Sequence, residues 1–128
     1  MPTDKYILKG HTPVLEPDLL KWAHWFETAD RRVEYTRRYR VTVSTVFLGL
    51  DHSFDRGTPI LFETMVFGGR HDGVCMRSRT WQEATLIHKD MCDKCLPTPF
   101  KTLGKLLYLS AVMAFLIWFG FQVLRAWE

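Results

Sequence analysis

The stretch RRVEYTRRYRVTVSTVFLGL, residues 31–50, is rich in β-branched and aromatic residues. Val33 and Tyr35 alternate with charged residues, and a second alternation of apolar and polar side chains runs through residues 39–44. A period of two is typical of a β-strand, because successive side chains of a strand point to opposite faces. The stretch therefore predicts one long strand, or a hairpin that turns near residues 37–38.

Further strands are indicated on both sides of this stretch. ILFETMVFGG (60–69) predicts a second strong strand, more buried by its composition, after the turn-rich loop DHSFDRGTP (51–59). KYILKG (5–10) reads as a short first strand that ends in glycine, and CMRSR (75–79) has room for another. HTPVLEP (11–17), with two prolines, predicts a turn.

Two segments carry the signals of α-helices. The first, over 17–29, has an apolar stripe at helical spacing, and Pro17 suits its first turn. The stripe consists of Leu19, Leu20, Trp22, Ala23, Phe26 and Ala29. Thr80 is a suitable N-cap for a helix over 81–95, and Glu83 completes the pattern of a capping box. The order of elements predicts a small α+β domain, in which two helices pack on one face of a mostly antiparallel sheet.

A long uncharged segment follows this domain. LLYLSAVMAFLIWFGFQVL, residues 106–124, contains 19 residues without a charge. As a helix it would reach about 28 Å, close to the hydrocarbon thickness of a bilayer. It has no polar face, so a buried core helix is the weaker interpretation. We therefore expect a domain over 1–96, a linker over 97–105 and a single C-terminal transmembrane helix.

The flanks of the span predict its orientation. Lys94, Lys101 and Lys105 precede it, whereas Arg125 follows it and is offset by Glu128. The positive-inside rule then favours a cytoplasmic N-terminal domain. Because no N-terminal leader is visible, the expectation is a tail-anchored, single-pass protein of the inner membrane.

The net charge does not point to nucleic acid. The whole chain has a formal charge of +3, but residues 101–128 contribute three basic residues and one acidic residue, so residues 1–100 carry only +1. A basic domain that binds nucleic acid would show a much larger excess of lysine and arginine. We therefore do not expect nucleic acid as a partner.

Several stretches together resemble a known family. GHTPVLEPDLLKWAHWFETADRRV, VSTVFLGLDHSF, PILFETMVFGG and TWQEATLIHKDM are similar to a family of small uncharacterised proteins encoded by tailed phages and prophages. The resemblance covers about residues 5–91. It implies a small α+β domain and a phage or prophage origin, and it implies no established activity.

Asp51, His52 and Glu63 form the first candidate site. Asp51 and His52 follow one predicted strand, and Glu63 lies on the next, where it could face them. A carboxylate beside an imidazole can orient a general base or bind a divalent metal. The competing interpretation is that Asp51 caps a turn and Glu63 pairs with an arginine on the sheet.

Cys75, His88, Cys92 and Cys95 form the second candidate site. The last three recur at helical spacing on one side of the predicted helix, and with Cys75 they have the composition of a Cys3His zinc site. Free thiols, a redox pair and acylation close to the membrane are the alternatives. No cofactor is expected beyond this zinc.

Two further features concern surfaces. The arginine cluster has tyrosines interleaved and could contact the phosphates of nucleic acid or of anionic lipid, of which lipid is the nearer candidate for a tethered domain, although a solvated sheet face is the alternative; it comprises Arg31, Arg32, Arg37, Arg38 and Arg40. Trp25 lies away from the main apolar stripe of its helix and would mark a partner-binding surface if it is exposed.

The favoured function is that of a membrane-tethered phage or prophage accessory protein. It would act by protein–protein interaction at the inner membrane, on a host or phage membrane-associated protein such as an envelope or defence component. The alternative is a small metal-dependent enzyme at Asp51, His52 and Glu63, or a zinc-stabilised binding module at the cysteine and histidine cluster. Whether the chain is an enzyme is left open, and a function without catalysis is favoured.

Overall fold

The computed structural model describes residues 4–55 and 57–125. The elements in chain order are β1 (Tyr6–Lys9), β2 (Thr12–Leu15), α1 (Leu19–Thr28), β3 (Arg32–Arg38), β4 (Val41–Phe47), β5 (Phe62–Phe67), β6 (Cys75–Ser78), α2 (Trp81–Cys95) and α3 (Pro99–Arg125). The chain divides into two compact units, Met1–Leu96 (unit 1) and Pro97–Glu128 (unit 2). The predicted α+β class, with an antiparallel sheet and a terminal apolar helix, is confirmed.

The larger sheet has four antiparallel strands in the order β3-β4-β5-β6. Along β4 every second residue is buried, as the period of two in the sequence predicts. The buried residues of β4 lie opposite those of β5, with Val43 facing Val66 and Phe47 facing Phe62. One face of the sheet is therefore the core face.

The hairpin between β3 and β4 turns two residues later than the sequence predicts. Arg37 and Arg38 still pair with β4, and the turn is made by Tyr39 and Arg40. The end of β5 lies against this turn, since a Cβ at Gly68 would clash with the carbonyl oxygen of Arg40. Only glycine permits that approach, and its φ of 79° also favours glycine.

Residues 11–17 do not form the turn that the sequence predicts. Thr12–Leu15 is instead a strand, and it pairs with β1 in a separate two-stranded sheet. Gly10, at φ 61°, occupies the tight connection between the two strands. Pro13 is tolerated because β2 has only β1 as a partner in the described chain, and a strand at an edge does not need every N–H.

Both helices of unit 1 begin at side-chain caps. Asp18 caps α1 by accepting the N–H groups of Leu20 and Lys21, so α1 starts at residue 19 rather than 17. Thr80 caps α2 as predicted, and accepts the N–H of Glu83 at 3.1 Å. The Glu83 carboxylate returns to the N–H of Arg79, one residue before the cap.

Helix α2 closes the core face of the larger sheet. Its buried residues, Ala84, His88 and Met91, contribute to two apolar clusters and to the polar centre between them. The first cluster, near the β3–β4 turn, contains Val41, Val43, Val66, Met91 and Leu96. The second, at the opposite end of β4, contains Phe47, Leu61, Phe62 and Ala84.

Helix α3 belongs to unit 2 and is apolar over most of its length. Its stretch Leu103–Val123 has 21 residues with a mean hydropathy of 2.0, and none of its 18 most apolar consecutive residues is buried. This stretch is long and apolar enough to cross a membrane. Glu128, which entered the charge argument, lies outside the described residues.

Candidate functional site

Asp51 organises the loop that follows β4. Its carboxylate accepts the N–H and the hydroxyl of Ser53 at 2.8 and 2.7 Å, and the N–H of Ile60 at 2.9 Å. Burial alone would raise the pKa of Asp51, but these hydrogen bonds outweigh it and lower the pKa. These contacts are those of an aspartate that caps a turn, as the competing interpretation of this residue predicts.

Glu63 and Cys75 lie on the face of the sheet that α2 does not cover. Glu63 faces Arg77 across β5 and β6, and Arg77 Nε donates to its carboxylate at 3.0 Å. Cys75 is exposed on β6 opposite Met65, and burial, followed by the charge of Glu63, raises the pKa of its thiol. Glu63 is thus held by Arg77, and Asp51 by Ser53 and Ile60, in separate hydrogen-bond networks.

His88 lies on the other face, inside the core. Its side chain is 2% exposed, and Nδ1 lies 2.8 Å from the hydroxyl of Thr45, which in turn bonds that of Thr64 at 2.8 Å. Nε2 lies 2.9 Å from the hydroxyl of Thr36 and 3.6 Å from a carboxylate oxygen of Glu34. A chain of hydrogen bonds therefore runs from Thr64 on β5 through Thr45 and His88 to Thr36 on β3, which is an edge strand of the sheet.

The four side chains of the predicted zinc site are not brought together. Cys75 is on the uncovered face, whereas His88, Cys92 and Cys95 are on the α2 side, where both cysteines pack against the first apolar cluster. Within residues 4–55 and 57–125, no three His, Cys, Asp or Glu side chains are arranged to hold a metal ion. This also applies to Asp51, His52 and Glu63, so neither metal hypothesis gains a geometric basis in that range.

The arginine cluster divides among three environments. Arg31 is half-buried, with its guanidinium 3.8 Å from the ring centre of Phe26 and a hydrogen bond to the carbonyl of Phe47. Arg32 stacks on Tyr35 at 5.0 Å. The remaining members, Arg37, Arg38 and Arg40, are exposed at the β3–β4 turn. The predicted patch is therefore reduced to the turn itself.

Trp25 is half-buried and packs edge-on against Phe47, with ring centres 5.7 Å apart. Its expected role as a partner contact required an exposed side chain. In the structure, other residues of α1 are exposed instead. Leu19 is 61% exposed and Leu20 is 80% exposed. The helical stripe in the sequence included both leucines and omitted Trp25, because periodicity does not show which side of a helix meets the sheet.

A groove between β3 and α2 is the candidate functional site of unit 1. Its volume is about 470 Å³, within the range of small-ligand sites. It is lined by Glu34, Thr36, Arg38, Thr85, Leu86, His88, Lys89 and Cys92. Sequence reasoning selected His88, Cys92 and Arg38 for other roles and missed the rest. The alternation of Glu34, Thr36 and Arg38 on one face of β3 was the available signal.

The groove can bind but is poorly suited to nucleophilic chemistry. Burial lowers the pKa of His88, and the charge of Glu34 only partly opposes this, so the imidazole is neutral at pH 7. Burial also raises the pKa of Cys92, despite the hydrogen bond from Thr36 that lowers it. Both ring nitrogens of His88 are hydrogen-bonded to the hydroxyls of Thr36 and Thr45, so neither is bonded to the Cys92 thiol as an activating base would be. Arg38, Lys89 and Glu34 supply charges for recognition.

Comparisons with known proteins assign no family to the chain. No protein-family model, no curated protein and no solved structure matches it. The function is therefore inferred from the chemistry of unit 1 and from the apolar helix α3.

Proposed function

We propose that the protein is a membrane-tethered accessory protein of a phage or prophage. In this proposal α3 crosses the inner membrane once as a tail anchor, and unit 1 stays in the cytoplasm. Unit 1 binds a host or phage protein associated with that membrane, such as a component of the host envelope or of its defences. The observation that carries the proposal is the apolar stretch Leu103–Val123, which is long enough to cross a bilayer and whose 18 most apolar consecutive residues are not buried.

The lysines that precede the span support the orientation. Lys94, Lys101 and Lys105 would lie on the cytoplasmic side, where positively charged residues are retained. The resemblance to phage and prophage proteins over about residues 5–91 supports the origin.

The groove between β3 and α2 is the favoured contact surface for the partner. Leu86 is 69% exposed there, and it shares the groove with the cationic side chains of Arg38 and Lys89. Glu34 contributes a carboxylate that is 44% exposed. An apolar side chain among charged groups suits a partner segment that combines an apolar anchor with an acidic neighbour.

The test is affinity purification of the full tagged chain from detergent-solubilised membranes, followed by mass spectrometry. Leu86→Asp should remove the co-purifying partner, because it places a carboxylate where an apolar side chain is expected to dock. Leu20→Asp is the matched control, since Leu20 is an exposed leucine on α1. Retention of the partner by Leu86→Asp, or its loss in Leu20→Asp alone, would contradict docking at the groove.

A further inference from the structure

The β3–β4 turn presents basic and aromatic side chains together. We call residues 37–40 the hairpin tip; it consists of three arginines and Tyr39, and all four residues are exposed. Tyr39 is 71% exposed, and Arg37 Nε donates to its carbonyl oxygen at 3.3 Å. The hairpin tip therefore concentrates positive charge around an aromatic ring that projects into solvent.

The end of β5 extends this surface. Phe67 is 49% exposed and lies opposite Thr42 in the sheet, and Arg70 is exposed in the loop that follows. The approach of Gly68 to the Arg40 carbonyl places this loop beside the hairpin tip. Asp72 is the acidic residue of the loop, and its carboxylate accepts the N–H of Gly68 at 2.6 Å.

The backbone conformation of Tyr39 indicates that its side chain has a role beyond folding. Its φ is 53°, and among the described non-glycine residues Tyr39 is the one with a positive φ. Glycine or asparagine occupies this region with less strain than an aromatic residue. Strained positions of this kind concentrate at functional surfaces. Tyrosine is also enriched at the interface between membrane and water.

The chain leaves unit 1 at the same end. Leu96, the last residue of unit 1, is buried in one cluster with Val41 and Val43, and Val41 directly follows the hairpin tip. Two residues separate Leu96 from Pro99, where α3 begins. Three residue steps span about 11 Å at most. The apolar stretch begins at Leu103, four residues into α3, which adds about 6 Å along a helix, so the length of the chain limits the distance from Leu96 to the start of that stretch to about 17 Å.

We propose that the hairpin tip, together with Phe67 and Arg70, lies on the anionic lipid headgroups of the leaflet that α3 enters. This inference rests on the membrane-crossing role proposed for α3. Arginine side chains next to a membrane are attracted to the negative surface potential of anionic lipids, and exposed aromatic rings insert at headgroup level. Such a contact fixes the orientation of unit 1 over the membrane, which a flexible tether would leave free.

The test uses the full chain reconstituted into lipid nanodiscs. One set contains phosphatidylcholine alone, and the other contains equal parts of phosphatidylcholine and phosphatidylglycerol, each with a trace of headgroup nitroxide lipid as quencher. A fluorescent amino acid replaces Tyr39 in one chain and Phe54 in a control chain. Phe54 is fully exposed in the loop at the opposite end of β4, about 20 Å along the strand.

We expect fluorescence at position 39 to be quenched several-fold more than at position 54 in the anionic discs. The difference should disappear in phosphatidylcholine discs and at about 1 M salt, where the screening length falls to about 3 Å. Arg40→Gln/Arg70→Gln should also abolish it, whereas Lys9→Gln/Lys21→Gln, which removes the same charge from exposed residues of β1 and α1, should not.

The outcomes separate this inference from the proposed function. Equal quenching at the two positions in anionic discs, or quenching at position 39 that ignores lipid charge, overturns the headgroup contact while the membrane anchor stands. A chain that does not stay with the discs overturns the anchor and, with it, the contact that depends on it.

Discussion

His88 shows how a single residue is fixed by partners far away in sequence. Thr36 and Thr45, 52 and 43 residues earlier, satisfy its two ring nitrogens. A buried polar group needs such partners, because leaving it unsatisfied costs about 1–3 kcal/mol. The three threonines and His88 therefore act as a polar centre that fixes α2 on the sheet between the two apolar clusters.

The buried imidazole predicts a pH dependence of stability. Because burial lowers the folded-state pKa of His88 below its ordinary 6.5, the unfolded chain binds the proton more readily. The free energy of unfolding is thus highest above about pH 6.5, and it falls as the pH drops through the folded-state pKa. Urea denaturation in detergent between about pH 8 and pH 5, monitored by tryptophan fluorescence, measures the free energy of unfolding at each pH.

His88→Asn is the control for that experiment. Asparagine keeps a hydrogen-bonding side chain but cannot titrate, so the variant should be less stable at neutral pH and should lose most of the slope over this interval. Asp51, whose pKa is lowered, loses its contribution only at more acidic pH. A variant with the same slope as the natural chain would show that His88 is not the titrating group.

The sequence exposed only part of this chemistry. Its spacing predicts that His88, Cys92 and Cys95 share one side of a helix, and in the structure Cys92 and Cys95 pack against the core. The same pattern predicts a ligand set or a buried packing surface, and only the register of the strands separates the two. Cys75 is on the uncovered face because its partner in β5 is Met65, a pairing that no local signal in the sequence specifies.

At the scale of elements, α2 is the helix on which unit 1 depends. It supplies Ala84, His88 and Met91 to the core and one wall of the groove. We predict that Thr80→Ala lowers the free energy of unfolding by about 1 kcal/mol, because it removes the N-cap of this helix. Urea denaturation of the full chain in detergent is the measurement.

Thr85→Ala is the matched control for the cap. The Thr85 hydroxyl donates to the carbonyl of Gln82 within the helix, and alanine has the higher helix propensity, so little change is expected. If the two variants were equally stable, the Thr80 cap would not contribute to the stability of unit 1.

Strand prediction succeeded where side chains alternate and failed where a proline intervenes. The period of two predicted β3 and β4, because one buried face imposes that pattern directly on the sequence, and the composition of residues 60–69 predicted β5. Thr12–Leu15 was missed because its proline argues against a central strand, and the sequence does not show that β2 lies at an edge. Pairing partners require the fold itself.

The two units of the molecule differ in how their apolar side chains are arranged. Helix α2 is apolar on one side and packs on a sheet, whereas α3 is apolar all round and its side chains are exposed wherever their exposure is described. The thickness of a bilayer constrains length and composition so strongly that the sequence alone predicts such a helix. The groove between β3 and α2 has no comparable signature.

Alkaline carbonate extraction of cell membranes tests whether α3 is a membrane anchor. Met113→Arg/Ile117→Arg places two charges on one side near the centre of α3, each costing about 2.5–3.5 kcal/mol in a membrane. Leu20→Arg/Phe54→Arg adds the same charge to exposed sites of unit 1.

We predict that the natural chain and the Leu20→Arg/Phe54→Arg control remain in the membrane pellet until detergent is added, and that the Met113→Arg/Ile117→Arg chain appears in the carbonate supernatant. Recovery of the natural chain in the carbonate supernatant would contradict the account.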